Sequence, residues 1–238
     1  MEKNKIIVGN MKMNLTYDMI ENYINRLKGY NNFVICPSSL YLPYFIDNNF
    51  EVGIQNISEH GMGSYTGEIS VKQAKSIGVK YAIVGHSDRR DKYNETDEII
   101  NEKMRKAVSN DLISILCVGE NLSERISGNA QGKIKKQLVD DLRDINCEYY
   151  KNIVVAYEPI WSIGTGKIPS NEEIEEMIVF IKRVINHKFN FTPLVLYGGS
   201  INEENIEQLK LINNVDGFLV GGASLIPDKI IKMIETVN

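Results

Sequence analysis

Eight short apolar runs recur along the chain, separated by stretches whose apolar residues fall at helical spacing. The runs centre on residues 6–8, 33–36, 52–54, 81–84, 113–118, 153–156, 194–196 and 217–220. Most are continuous rather than alternating, the pattern of parallel strands buried on both faces. Between them, Ile174, Met177, Ile178, Ile181, Val184 and Ile185 line one helical face, and Ser170 with Glu173 supplies a capping box ahead of it. Ile230, Met233, Ile234 and Val237 repeat the spacing after Pro227, a good first-turn residue. Tyr17, Ile20, Ile24 and Leu27 do so early in the chain, and Ile206, Leu209 and Ile212 late. Short helices are expected near residues 41–45 and 71–77. Eight successive βα units predict a parallel sheet with right-handed crossovers. A closed (β/α)8 barrel of the α/β class, one domain over residues 1–238, fits the count and length best. An open doubly wound sheet is the alternative, and no dinucleotide fingerprint follows the first run.

Composition narrows the function classes. The 238 residues are 43% hydrophobic and 24% charged, ordinary for a globular protein. A net charge of −4 argues against nucleic-acid binding, which wants a basic face. No apolar run approaches the roughly 18 residues a membrane helix needs. The first residues lead straight into a strand pattern with no signal-peptide core, and Cys36, Cys117 and Cys147 have no metal spacing. A reducing cytoplasm is the expected setting.

The candidate chemistry lies just after the runs, where a parallel barrel places its active site. Asn10 and Lys12 follow the first, His86 the fourth, Gly119 and Glu120 the fifth, and Glu158 the sixth. Gly198, Gly199 and Ser200 follow the seventh, and Gly221 and Gly222 the eighth. Each alone has an ordinary explanation: Lys12 as a solvated charge, His86 as a satisfied core imidazole, the glycines as turns. Their shared position relative to the strands is harder to assign to chance. Glu158 leaves its strand at an angle set by Pro159, and Trp161, Ser162, Gly164 and Gly166 follow with the composition of a lid. The glycine loops let backbone N–H groups approach an anion, and Ala223-Ser224-Leu225 could open a short helix. In this architecture the loops after the last two strands frequently form a phosphate site, so a phosphorylated small molecule is expected.

The segments Gly9-Asn10-Met11-Lys12-Met13-Asn14, Gly85-His86-Ser87-Asp88-Arg89-Arg90, Tyr157 through Gly166, Tyr197-Gly198-Gly199-Ser200 and Asp216 through Ser224 together resemble the triosephosphate isomerase family. The resemblance runs from Lys5 to the C-terminus. It implies interconversion of dihydroxyacetone phosphate and glyceraldehyde 3-phosphate, a step of glycolysis and gluconeogenesis, with neither metal nor organic cofactor. It further implies Glu158 as the base and His86 as a neutral electrophile. Lys12 would hold positive charge near the enediolate, and Asn10 would help place the substrate. Gly164, Ser200, Gly221 and Gly222 would hold the phosphate. The segment Gly63-Ser64-Tyr65-Thr66-Gly67-Glu68 resembles the family's third loop, which implies a homodimer with that loop inserted into the neighbouring subunit. From the residues alone it is a Gly- and Ser-rich surface loop.

Three positions depart from the family's usual pattern. Met11 stands for Trp, so repacking is expected. Asp88 stands for Glu and is one methylene shorter, so its hydrogen bond should shift or pass through water. Ser162 stands for Ala in the lid and is expected to alter the open–closed balance. Glu120 could be a partner of Lys12 or solvated, with a structural role favoured; Cys117 is read as structural, and His60 and His187 as bystanders to the chemistry. Arg89 and Arg90 are too few to make a basic patch in an acidic chain. Two other functions fit the fold. A Schiff-base aldolase would need its lysine in an apolar pocket of the strand ends, whereas Lys12 lies in a loop. A non-catalytic scaffold has no use for Glu158, His86 and Lys12 together.

Overall fold

In the computed structural model, which describes residues 5–164 and 167–238, each of the eight apolar runs is a strand. They are β1 (Ile6–Asn10), β2 (Phe33–Cys36), β3 (Glu51–Ile54), β4 (Tyr81–Val84), β5 (Ile113–Val118), β6 (Ile153–Tyr157), β7 (Leu194–Tyr197) and β8 (Gly217–Val220). Neighbours in sequence pair in parallel, and β8 returns to β1 with Ile6 opposite Gly217, so the sheet closes into a barrel. An open doubly wound sheet is ruled out by that last pairing.

The continuous runs are explained by burial on both faces. Val8, Val34, Ile83, Ile115, Val154, Leu196 and Leu219 form one cluster, with Cys36, Cys117 and Ala156. Their chain neighbours Ile7, Ile35, Leu116, Val155, Val195 and Phe218 belong to a second, larger cluster shared with the helices. Alternation along each strand thus assigns one set to the barrel interior and the other to the sheet–helix layer. Truncating one of the buried Leu or Ile side chains to Ala costs about 2–5 kcal/mol.

The helices largely follow their spacing. Asn171–Phe189 carries the reciprocal Ser170–Glu173 capping box, buries Ile174, Met177, Ile178, Ile181 and Ile185, and ends at Asn190 in the left-handed conformation. Pro227–Val237 begins on its proline and buries Ile230, Met233 and Ile234. The expected short helices are present as Leu42–Asp47 and Val71–Ser76. Two details differ. Tyr17–Leu27 buries Ile20, Tyr23, Ile24 and Leu27, whereas Tyr17 is exposed with its ring edge-on to Tyr44. Tyr23 occupies the core because its hydroxyl donates to the Ser224 carbonyl, which satisfies its one polar atom. Late in the chain the helix covers only Ile206–Leu209, and Ile212 is buried beyond its end. Among the described residues no helix is long and apolar enough to cross a membrane.

Candidate active site

A cavity of about 430 Å³ opens at the carboxyl ends of the strands. Asn10, Lys12, His86, Glu158, Gly164, Ser200, Gly221 and Gly222 all line it. Of the lid stretch, Thr165 and Gly166 lie outside the described residues. These eight candidate positions are thus brought to one cavity, whereas Gly119 and Glu120, which follow the fifth strand, are not among its lining residues.

Each side chain is placed by local structure. Lys12 follows β1 in the left-handed region, at φ 52°. That conformation is strained for a residue with a Cβ and persists only when its surroundings fix it. Here the Asn10 side-chain carbonyl accepts the Lys12 N–H at 3.1 Å, and Gln55 Nε2 donates to the Lys12 carbonyl at 2.8 Å. Gln55 also donates to the Cys36 carbonyl, tying the β1 loop to the end of β2. No sequence signal marked Gln55, because its partners are backbone atoms.

His86 follows β4 through Gly85, which adopts φ +70°. Its Nδ1 accepts the Asp88 backbone N–H at 3.0 Å, so Nδ1 carries no proton and Nε2 does. That Nε2 faces Glu158 Oε1 at 3.1 Å, with both side chains buried. Burial acts to raise the Glu158 carboxyl, but the imidazole and then Lys12 outweigh it and hold the group below its ordinary range. Its second oxygen, Oε2, is buried with no hydrogen-bond partner among the described residues. Cys117, beside it in the barrel, has its thiol pushed well up by burial and by the Glu158 charge, and is therefore no nucleophile.

Glu158 is also fenced by glycines. A Cβ on Gly119 would lie 1.7 Å from the Glu158 carbonyl oxygen, and one on Gly198 would lie 3.0 Å from Glu158 Cγ. β5 and β7 can flank the end of β6 this closely only where side chains are absent.

The shorter Asp88 carboxylate reaches two lysines directly: Oδ2 lies 3.1 Å from Lys12 Nζ, and Oδ1 accepts from Lys92 at 2.7 Å. Partial burial pushes this carboxyl up, but Lys92 and Lys12 prevail and hold it at about 2. Glu120 has the structural role favoured for it. It is neither solvated nor a partner of Lys12, but fully buried, accepting from Trp161 Nε1 at 2.9 Å, Tyr157 at 3.2 Å and Arg125 at 3.3 Å. Arg125 lies over the Trp161 ring and also pairs with Glu173. The base of the lid is thus held to β5 and to the Asn171–Phe189 helix.

On the glycine side, residues Gly222–Leu225 form the expected short helix, of the 3-10 type. Ser224 donates both its N–H and its hydroxyl to the Gly221 carbonyl. Ser200 lines the cavity, but its hydroxyl donates to the Ser162 carbonyl. Ser162 itself is fully buried, and its hydroxyl has no partner among the described residues. Met11 is buried in the larger apolar cluster. Arg89 and Arg90 form no basic patch. Arg89 pairs with Glu95, and Arg90 with Asp97 and Asp141 while donating to the carbonyls of Gly85 and Cys117.

A buried carboxylate, a neutral imidazole and an ammonium thus face one cavity, with backbone-lined loops opposite, a set suited to moving protons on an anionic substrate. Residues 5–237 match the family model described as triosephosphate isomerase. Proteins named triosephosphate isomerase are similar over almost their whole length. The one from Mycoplasmopsis pulmonis is 40% identical across 98% of this chain and 97% of its own. That from Alkaliphilus oremlandii is 38% identical across 98% and 99%. That from Ligilactobacillus salivarius is 35% identical across 99% and 100%. The chain belongs to the triosephosphate isomerase family.

Proposed function

We propose that Glu158, His86 and Lys12 carry out the family's reaction, interconversion of dihydroxyacetone phosphate and glyceraldehyde 3-phosphate, through an enediolate. Glu158 takes the proton from the carbon beside the carbonyl and returns it to the neighbouring carbon. His86 Nε2–H polarises the carbonyl and passes protons between the two oxygens; a glutamate base beside a neutral imidazole is this family's known division of labour. The Lys12 ammonium offsets the negative charge that develops on oxygen, and Asn10 orients the substrate. Backbone N–H groups of Gly164, Gly221 and Gly222, with Ser200, hold the phosphate, which requires Ser200 to release Ser162 or to use its own N–H. No step calls for a metal or an organic cofactor.

The observation that carries this reading is the 3.1 Å approach of His86 Nε2 to Glu158 Oε1 inside a cavity that Lys12 also lines. Acid–base catalysis supplies about 10²–10⁴-fold, so charge stabilisation and exclusion of water must supply the rest. The test is turnover of glyceraldehyde 3-phosphate in deuterated water. An enediolate with a carboxylate base gives product carrying deuterium on the carbon beside the carbonyl. Direct hydride migration would leave it unlabelled. Borohydride added during turnover should trap no adduct on Lys12, whereas a Schiff-base enzyme would be labelled there.

The same reading takes the chain as a cytoplasmic, single-domain homodimer. Its support is local: Met13, Met62 and Tyr65 are exposed large apolar side chains, and Tyr65, in the 63–68 loop, stacks on His60 at 4.1 Å. A second subunit receiving that loop would cover such residues.

A further inference from the structure

Two ammonium groups line the cavity, Lys12 and Lys229, and each is held by a carboxylate that does not itself line it. Asp88 holds Lys12 at 3.1 Å, and Glu203 holds Lys229 at 2.8 Å. Lys229 is the third residue of the helix Pro227–Val237, which follows closely on the Gly222–Leu225 turn. The segment that brings Gly222 to the cavity thus also brings a cation. Glu203 lies three residues beyond Ser200, past the cavity-lining Asn202. The other charges bearing on the pair are Glu204, acting on Lys229, and Lys232, acting on Glu203.

A bare carboxylate this close to an anion site would oppose binding of a phosphate dianion. Tied to Lys229, its field is largely cancelled, and what remains is a dipole with its positive end towards the cavity. The second oxygen of Glu203 is buried without a hydrogen-bond partner among the described residues, so Lys229 is the cation that holds this carboxylate, and its charge is shared between Glu203 and the cavity. We propose that Lys229 is a binding residue for the phosphate end of the substrate, and that Glu203 sets how strongly it pulls. This rests on the reading above only in taking the substrate to be a phosphate ester.

The test is a phosphorus NMR titration of inorganic phosphate onto the full-length protein, run beside kcat and KM for glyceraldehyde 3-phosphate. Wild type, Lys229→Met, Glu203→Gln and the double variant are compared, with the exposed Lys135→Met as a control for net charge. Lys229→Met should weaken phosphate binding and raise KM by about 3- to 10-fold, with kcat changed far less. Glu203→Gln should tighten phosphate binding by about 2- to 5-fold. The double variant should fall between them, and all differences should shrink in about 0.5 M salt. Because the double variant leaves no unpaired charge, it carries the comparison if Lys229→Met folds poorly. Shifts of the same sign in both single variants, as lost packing would give, would overturn the proposal. So would affinities that stay within about twofold of wild type. A wild type that fails to turn over triose phosphate would end the isomerase reading instead, while the phosphate titration would still decide the role of Lys229.

Discussion

His86 Nε2 and Glu158 Oε1, carried by β4 and β6, meet 3.1 Å apart with the Glu158 carboxylate otherwise short of partners. The imidazole is therefore both a candidate electrophile and the main support of the buried charge. His86→Phe should remove the donor while leaving that charge in place. The expected result is a kcat about 10²–10³-fold lower, measured in a coupled assay. Thermal stability should fall with it, since a buried carboxylate short of a donor costs about 1–3 kcal/mol. A variant with unchanged melting temperature would show that the contact does not support Glu158.

Gly119 touches Glu158 through the backbone alone. An added methyl at 1.7 Å from the Glu158 carbonyl has no flexible neighbour to push aside. Gly119→Ala should move the end of β6, reduce turnover by more than about 10²-fold and destabilise the fold, because even a small displacement of a reacting group is costly. Gly128→Ala serves as the comparison: its Cβ would meet nothing within 4 Å, so its effect reports only the positive φ. Equal activity in the two variants would sink the steric argument.

The Asp88 carboxyl is held at about 2, below the ordinary aspartate value, by Lys92 and Lys12 against its partial burial. A depressed carboxyl contributes stability that is present above its unfolded value and is lost as pH falls through its folded one. The melting-temperature gap between wild type and Asp88→Asn should thus be widest near neutrality and close between about pH 4 and pH 2. A gap independent of pH would mean that Asp88 acts through packing rather than charge.

Ser162 buries a hydroxyl without a hydrogen-bond partner among the described residues. Removing an unsatisfied polar group is neutral or stabilising, so Ser162→Ala should raise the melting temperature by up to about 3 °C. If the hydroxyl biases lid motion, the viscosity dependence of kcat should also differ between the two proteins. A clear loss of stability would mean that the hydroxyl has found a partner.

The strand order was legible because parallel strands buried on both faces must be continuous and apolar, and each run became a strand. The candidate residues were legible because they follow those strands directly. What escaped is what three-dimensional contact decides. Glu120 offered little hint of its partners, since Trp161 and Tyr157 meet it only once β5 and β6 lie side by side, while Arg125 comes from the helix just after β5. Helical spacing favoured Tyr17 over Tyr23, and only the Ser224 carbonyl, far along the chain, explains the choice made.

The central claim is that Glu158 is the base, and Glu158→Gln tests it most directly because the amide keeps the shape and loses the charge. The measurement is kcat with glyceraldehyde 3-phosphate, together with the affinity for inorganic phosphate. The expected result is a kcat lower by at least about 10³-fold with phosphate affinity within about threefold of wild type. A variant turning over within about tenfold of wild type would contradict the account.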